Sequence, residues 1–273
     1  MPAEDAKHSV AVAIPAFNEA EGIPGFVLEI DRALAEHVST LRLVVVDDAS
    51  TDGTVSALEA VRSELRGTLE VFANSTNRGH GPSLMEAYRR ALSGEPDFVL
   101  QVDGDGQFHG SDLRRVLVLL GDASHAVSGV RRFRQDSWFR MSMTRLVRAY
   151  VGLSFSVRAR DPNCPLRGYE APLLAELLSV LPDACLIPNL YLTIIASRRG
   201  VPLLEVDVSH RVRRGGSSEG TTWRAARSPI PWRLVRFSLQ ALRESVSFRA
   251  LMDAPVQVAG GKDQSPLSGS EPH

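Results

Sequence analysis

Uninterrupted apolar stretches alternate along the first half of the chain with stretches whose apolar residues recur every three or four positions. HSVAVAIPAF (8–17), LRLVVVDDAS (41–50), LEVFAN (69–74), DFVLQV (97–102) and HAVSGV (125–130) are of the first kind. EAEGIPGFVLEIDRALAEH (19–37), STDGTVSALEAVRSEL (50–65), HGPSLMEAYRRALSG (80–94) and HGSDLRRVLVLLG (109–121) are of the second. Strands that are apolar throughout, separated by amphipathic helices, predict a largely parallel sheet covered by helices on both faces.

Beyond residue 131 the pattern predicts helices over 138–157, 171–182 and 189–200, and a strand leaving the core within PLLEVDVSHRVR (202–213). Residues 231–251 predict an amphipathic helix with apolar positions Val235, Leu239, Leu242 and Val246 and several arginines. Residues 253–273, rich in Gly, Ser and Pro, read as a disordered tail. The expected organisation is one catalytic-type α/β domain over 1–220, a helical segment over 221–252, and the tail.

In parallel sheets of this type, ligands bind beyond the carboxyl ends of the strands. Polar clusters fall at four such ends: Pro15–Glu19, Asp47–Asp48, Asn77–Gly81 and Asp103–Gln107. In FVLQVDGDGQFHG (98–110) an apolar strand runs straight into two aspartates. On extended backbone Asp103 and Asp105 point the same way. Gly104 between them permits close approach of a ligand. Two like carboxylates this near repel unless a cation lies between them. Oxygen ligands suit Mg²⁺ or Mn²⁺ held together with phosphates, and Gln107 can add a carbonyl oxygen. At the other ends Asp47 or Asp48 can accept from a nucleobase imide or a ribose hydroxyl. Phe17 can lie against a base, and Arg78 with Gly79 can approach a phosphate.

Composition narrows the class. A 273-residue chain with 44% hydrophobic and 23% charged residues builds an ordinary globular core. There is no stretch of 18 uncharged apolar residues, and the start of the chain lacks a secretory h-region, so the expected location is cytoplasmic. Cys164 and Cys185 have neither disulfide-framework nor metal-ligand spacing. The net charge of −1 conceals a division: residues 1–130 hold 20 acidic against 10 basic residues, and residues 131–167 hold 9 Arg against 2 Asp. This separation suggests a metal on one side and an anionic ligand on the other. Glycine-rich dinucleotide and P-loop signatures are absent.

VAIPAFNEAEGI, LVVVDDASTDGT, NRGHGPSL and VLQVDGDGQFH, with VSGVR, DPNCPLRGY and LLEVDVSHRVRRGGSS further on, together resemble the donor domain of family 2 glycosyltransferases. The dolichyl- and polyprenyl-phosphate sugar synthases are the most similar group, over about residues 8–220. The resemblance implies a GT-A fold, a UDP- or GDP-sugar donor, a divalent cation and inversion at the anomeric carbon. It places Pro15, Phe17, Glu19, Asp47 and Asp48 in the nucleoside pocket, with Arg78, Gly79 and Gly104 also toward the donor. It assigns Asp103, Asp105 and Gln107 to the metal and diphosphate. Asp161 falls where catalysis is usually placed, Arg131, Arg167 and Arg213 at phosphate-holding positions, and Ser217 in a loop that closes over the diphosphate. The chain departs from the usual pattern at His80 (commonly lysine), at Cys164 and Pro165, and at Asn189, where an acid is common.

Three readings follow. The first is transfer to a polyprenyl phosphate, with the 231–251 helix resting on an anionic membrane surface. The second is transfer to a hydroxyl or amine of a small soluble scaffold, with Asp161 as base. The third is a non-catalytic relative that binds a nucleotide, or nucleic acid through its basic half. The paired aspartates and the lack of aromatic platforms speak against nucleic acid.

Overall fold

The computed structural model describes residues 7–122, 124–131, 149, 152–215, 240 and 243–249. Its strands are β1 (Ser9–Ala16), β2 (Thr40–Asp47), β3 (Thr68–Ala73), β4 (Phe98–Gln101), β5 (Ala126–Arg131), β6 (Arg167–Glu170) and β7 (Leu204–Val208). Its helices are α1 (Ile23–Leu34), α2 (Thr54–Val61), α3 (His80–Leu92), α4 (Gly110–Asp122), α5 (Ala171–Leu178) and α6 (Pro188–Arg198). The strands form one sheet in the order β3-β2-β1-β4-β6-β5-β7. Pairing is parallel along β3-β2-β1-β4 and between β5 and β7, and antiparallel on both edges of β6.

The reason for the apolar strands is burial on both sides. Val10, Val12 and Ile14 pack in one cluster with Ile23, Phe26 and Ile30 of α1 and Leu113 and Val116 of α4. On β1 and β2, α3 packs as well, burying Leu84, Met85 and Tyr88. Each fully buried Ile, Leu or Phe contributes about 1.5–3 kcal/mol relative to exposure. A strand between two helical layers therefore tolerates polar residues only where it leaves them.

Helices start later than periodicity predicts. Residues 19–22 are a turn before α1, so Glu19 stays at the end of β1 rather than joining the helix. Similarly, residues 50–53 are a loop before α2. The strand expected to leave the core, β7, instead joins the sheet beside β5. The helix predicted to run to residue 157 is helical among its described residues through Phe155; Ser156 then turns back with φ +58°. Contacts divide the chain into two compact units, Met1–Pro229 and Ile230–His273. In the second, residues 240 and 243–249 are helical, and Val246, assigned to an apolar face, is 62% exposed.

Strand β6 had no sequence signal, because RGYE is four residues long, opens on an arginine and contains a glycine. The arginine is the structural centre of this region. Arg167 is fully buried and donates to the carbonyls of Cys164 (2.8 Å) and Pro162 (2.7 Å), and to the hydroxyls of Thr193 (2.9 Å) and Tyr169 (3.2 Å). Gly168 beside it admits Leu120, Val116 and Leu100, which a Cβ would meet at 2.6–2.9 Å. Replacing Arg167 with Leu removes the side-chain donor to the Cys164 carbonyl and one of the two side-chain donors to Pro162 O, which keeps the Thr193 hydroxyl. Arg167→Leu is expected to lower stability by about 2–4 kcal/mol in urea denaturation; a change below roughly 1 kcal/mol would show that the loop 161–164 does not depend on it.

Candidate active site

The carboxyl ends of β1, β2 and β4 lie side by side, with Ala16 level with Asp47 and Ala13 level with Gln101. Beyond Gln101 the chain continues along β1, the Val102 N–H donating to Ala13 O (3.2 Å) and the Gly104 N–H to Pro15 O (3.1 Å). A Cβ on Gly104 would meet Pro15 O and Ile23 Cδ1 at 3.1 Å. The close approach that glycine permits here is to β1 and α1.

The loops after β1 and β2 are bonded into one surface. The Asn18 N–H donates to Ser50 Oγ (2.8 Å), the Thr51 N–H to Asn18 Oδ1 (2.9 Å), and the Glu19 N–H to Thr54 Oγ1 (2.9 Å). Asp52 accepts from the backbone of Ala20 and Thr54. Asn18 and Ala49 both have positive φ, 53° and 61°, a conformation that costs on the order of 1 kcal/mol in non-glycine residues and that local bonding must sustain. None of Asn18, Ser50, Asp52 or Thr54 was a sequence candidate; the S/T/D composition of DDASTDGT carried the only hint.

The paired aspartates after β2 divide their tasks. Asp48 accepts from the backbone N–H groups of Arg78 and Gly79 at 2.8 Å each and from Asn74 Nδ2 at 2.9 Å, so it shapes the loop before α3. Asp47 is 2% exposed; its Oδ2 accepts from the Ser50 N–H (3.0 Å), and its Oδ1 has no partner among the described residues. Pro15 is buried, Phe17 is half-buried at the mouth of the crevice, and the Arg78 side chain is exposed.

Asp103 and Asp105 sit at the tip of β4. Asp103 Oδ1 accepts from Gln101 Nε2 (3.1 Å) and lies 3.7 Å from His80 Nε2. Asp105 Oδ1 accepts from the Gln107 N–H (3.1 Å), and the Gln107 amide group donates to Arg211 O (3.4 Å). Burial pushes both carboxyls up, and the charge of Asp103 adds to the effect on Asp105, which reaches about 7. Positive charge from the His80 ring and Arg131 offsets this only in part. Among the described residues no cluster of three or more His, Cys, Asp or Glu forms a metal-ligating set. A cation at this pair would take two carboxylates from the protein and its other ligands from phosphates and water, as Mg²⁺ and Mn²⁺ sites do.

The arginines are paired with acids distant in sequence. Arg131 holds Asp161 with both arms, Nε to Oδ2 at 2.7 Å and Nη2 to Oδ1 at 2.9 Å. Burial alone would lower the pKa of Arg131, but the hydrogen bonds and charge of Asp161 raise it. Arg213 pairs with Glu19, and Arg211 and Arg214 both pair with Glu29 of α1. Arg211 also donates to Gly106 O (2.6 Å), and the Arg214 N–H to Asp105 O (3.0 Å). The segment 211–215 is thereby laid along the 103–109 loop. Glu29 had no sequence signal, since its partners are about 180 residues away. Arg167 is placed under the Asp161 loop with its donors committed to protein, and Ser217 lies outside the described residues. A separate pocket of about 420 Å³ adjoins Asp161 and is lined by Ser128, Pro162, Thr193, Ser197 and Leu203 among others.

The model of one protein family, Glycosyl transferase family 2, matches residues 11–172, the span from β1 through β6. The chain belongs to that family. Among its relatives, the undecaprenyl-phosphate 4-deoxy-4-formamido-L-arabinose transferase of Proteus mirabilis (strain HI4320) is 26% identical over 213 residues, 78% of this chain and 63% of that protein. The protein of the same description from Pseudomonas fluorescens (strain SBW25) is 26% identical over 268 residues, 94% of this chain and 75% of its own. The chain thus spans less than two thirds of the length of the Proteus relative. Two solved structures share the GT-A fold. Glucosyl-3-phosphoglycerate synthase from Mycobacterium tuberculosis, in complex with Mn²⁺ and UDP-glucose, superposes with a TM-score of 0.59 at 19% identity, over 89% of this chain and 79% of that one. A mannosyltransferase from Pyrobaculum calidifontis in complex with GDP-Man and Mn²⁺ gives 0.60 at 21% identity, over 89% and 65%.

The raised Asp105 pKa has a stability consequence. A carboxyl that binds its proton more tightly in the folded state stabilises that state when protonated. The metal-free protein should then lose stability as pH rises from about 4 through 7, and level off above. Asp105→Asn removes this cost. At pH 8 in EDTA the variant is expected to be more stable than the parent, by on the order of 1–3 kcal/mol, and near-equal at pH 4. Equal urea midpoints at pH 8 would refute a net cost from the ionised pair.

Proposed function

We propose that this chain is an inverting, metal-dependent glycosyltransferase that moves a sugar from a UDP- or GDP-sugar to a polyprenyl phosphate. The observation that carries the reading is the Asp103–Asp105 pair at the strand-end crevice, whose burial and mutual repulsion nearby positive charge offsets only in part. The nucleoside would sit against Pro15, Phe17 and Glu19, where the unpartnered Oδ1 of Asp47 can accept from a base imide or a ribose hydroxyl. Asp48 acts by holding the Arg78–Gly79 loop. Asp103 and Asp105, with the Gln107 carbonyl within the same loop, would hold Mg²⁺ or Mn²⁺. The bound cation would neutralise charge gathering on the departing diphosphate. Relatives named for undecaprenyl phosphate, and neighbours holding Mn²⁺ with UDP-glucose or GDP-Man, support these assignments.

In the reaction the bond from the anomeric carbon to the diphosphate oxygen breaks while an acceptor oxygen bonds to that carbon from the opposite face. Arg131 and Arg213 each use Nε and Nη2 on a carboxylate, and their Nη1 groups could meet phosphate charge with those pairs intact; one such well-placed group is typically worth ~3 kcal/mol. The Arg131–Asp161 pair also bears on the acceptor. A hydroxyl acceptor needs a base, but both Asp161 oxygens are engaged by one guanidinium. A phosphate acceptor is already anionic and needs none. This favours the lipid phosphate over a neutral hydroxyl or amine. Among the described residues no helix is long and apolar enough to cross a membrane.

Calorimetric titration with UDP and GDP, each with and without Mn²⁺, tests the site. Micromolar, metal-dependent binding of one nucleotide, lost in Asp105→Ala, is expected. Failure of both nucleotides to bind with Mn²⁺ present would overturn the reading. With the donor known, transfer to undecaprenyl phosphate should survive Asp161→Asn within about 10-fold if no base is used.

A further inference from the structure

A line of buried polar side chains runs from α3 through α6 and β4 to Asp103. The Tyr88 hydroxyl donates to Asn189 Oδ1 (3.0 Å), Asn189 Nδ2 to Gln101 Oε1 (3.1 Å), and Gln101 Nε2 to Asp103 Oδ1 (3.1 Å). Tyr88 and Gln101 are 0% exposed and Asn189 is 3% exposed. We propose that Tyr88, Asn189 and Gln101 are positioning residues that orient Asp103 for the cation, a role that rests on reading the Asp103–Asp105 pair as a metal site.

The direction of the line follows from its end. An ionised carboxylate only accepts, so Gln101 must turn its nitrogen toward Asp103 and its oxygen toward Asn189. Asn189 then donates through Nδ2, and its own oxygen is left to accept from Tyr88. Each amide is held at both ends and cannot flip without losing two bonds. Gln101 fixes the Oδ1 side of Asp103, and Oδ2 has no hydrogen-bond partner among the described residues. An apolar residue at position 101 would fill this part of the core without the cost of burying an amide; what the amide adds is a fixed donor to Asp103. Hydrogen-bonded partners of this kind behind a metal ligand commonly change affinity 10–100-fold.

The line also meets the other side of the site. One turn along α6 from Asn189, the Thr193 hydroxyl accepts from Arg167 and lies 2.9 Å from Pro162 O, beside Asp161. One helix thus anchors both the cation-facing aspartate and the Asp161 loop.

The test is the Mn²⁺ dissociation constant, read from free-ion electron paramagnetic resonance with the full chain and Mn²⁺ alone. Parent, Asp105→Ala, Gln101→Met and Tyr88→Phe are compared, together with their urea midpoints in EDTA. Gln101→Met should weaken Mn²⁺ binding about 10-fold, and Tyr88→Phe roughly 3-fold. Tyr88→Phe removes a single hydroxyl and serves where Gln101→Met does not fold. A network that is merely structural would shift the urea midpoints and leave the Mn²⁺ constants unchanged, and that result would overturn the relay alone. Parent binding no tighter than Asp105→Ala would overturn the cation site and the relay with it.

Discussion

Two carboxylates meet at the tip of a strand that is buried on both sides, and among the described residues the charges of His80 and Arg131 neutralise them only in part. Much of the site can be understood from that. The pair is costly in water-poor surroundings, which is why burial and mutual charge raise the Asp105 pKa to about 7. It is sustained because the backbone around it is fixed: β4 continues along β1 to Gly104, the Gln107 N–H holds Asp105, and Gln101 holds Asp103. A cation held at the pair would resolve the conflict.

Every other acid at the crevice has a partner or a structural task. Glu19, Glu29 and Asp161 are each matched by arginines, and Asp48 is spent on backbone N–H groups. Part of the later basic charge, which as sequence suggested an anionic ligand, is counterion to protein acids: Arg211 and Arg214 to Glu29, Arg213 to Glu19, and Arg131 to Asp161. Arg211, Arg213 and Arg214 dock onto α1 and the end of β1, and Arg131 onto the Asp161 loop. Arg131 and Arg213 each commit two of three guanidinium nitrogens to a carboxylate. The contrast between the doubly bonded arginines and the partly compensated Asp103–Asp105 pair is the reason for proposing a cation at the 103–107 loop.

The strand-end clusters were legible because a parallel sheet leaves one rule to apply: polar residues that interrupt an apolar strand belong at its carboxyl end. Asp47, Asp48, Asp103 and Asp105 were found this way, and β1 through β5 with the helices between them follow the apolar pattern. Roles within a cluster were not legible. Asp47 and Asp48 are identical neighbours in the chain, yet one faces three donors and the other keeps a bare oxygen. Gly104 reads as a glycine for a ligand and is in fact crowded by Pro15 and Ile23.

By itself the sequence determined the alternation of buried strands and amphipathic helices, the crevice at the strand ends and the oxygen-rich chemistry there, because periodicity and local composition are properties of neighbouring residues. Only the tertiary structure decided what joins residues far apart: β6 running against the sheet around a buried arginine, Glu29 meeting Arg211 and Arg214, and Tyr88, Asn189 and Gln101 falling into line behind Asp103. A hydrogen bond between positions 101 and 189 depends on where two separate elements are packed, and no local pattern records it.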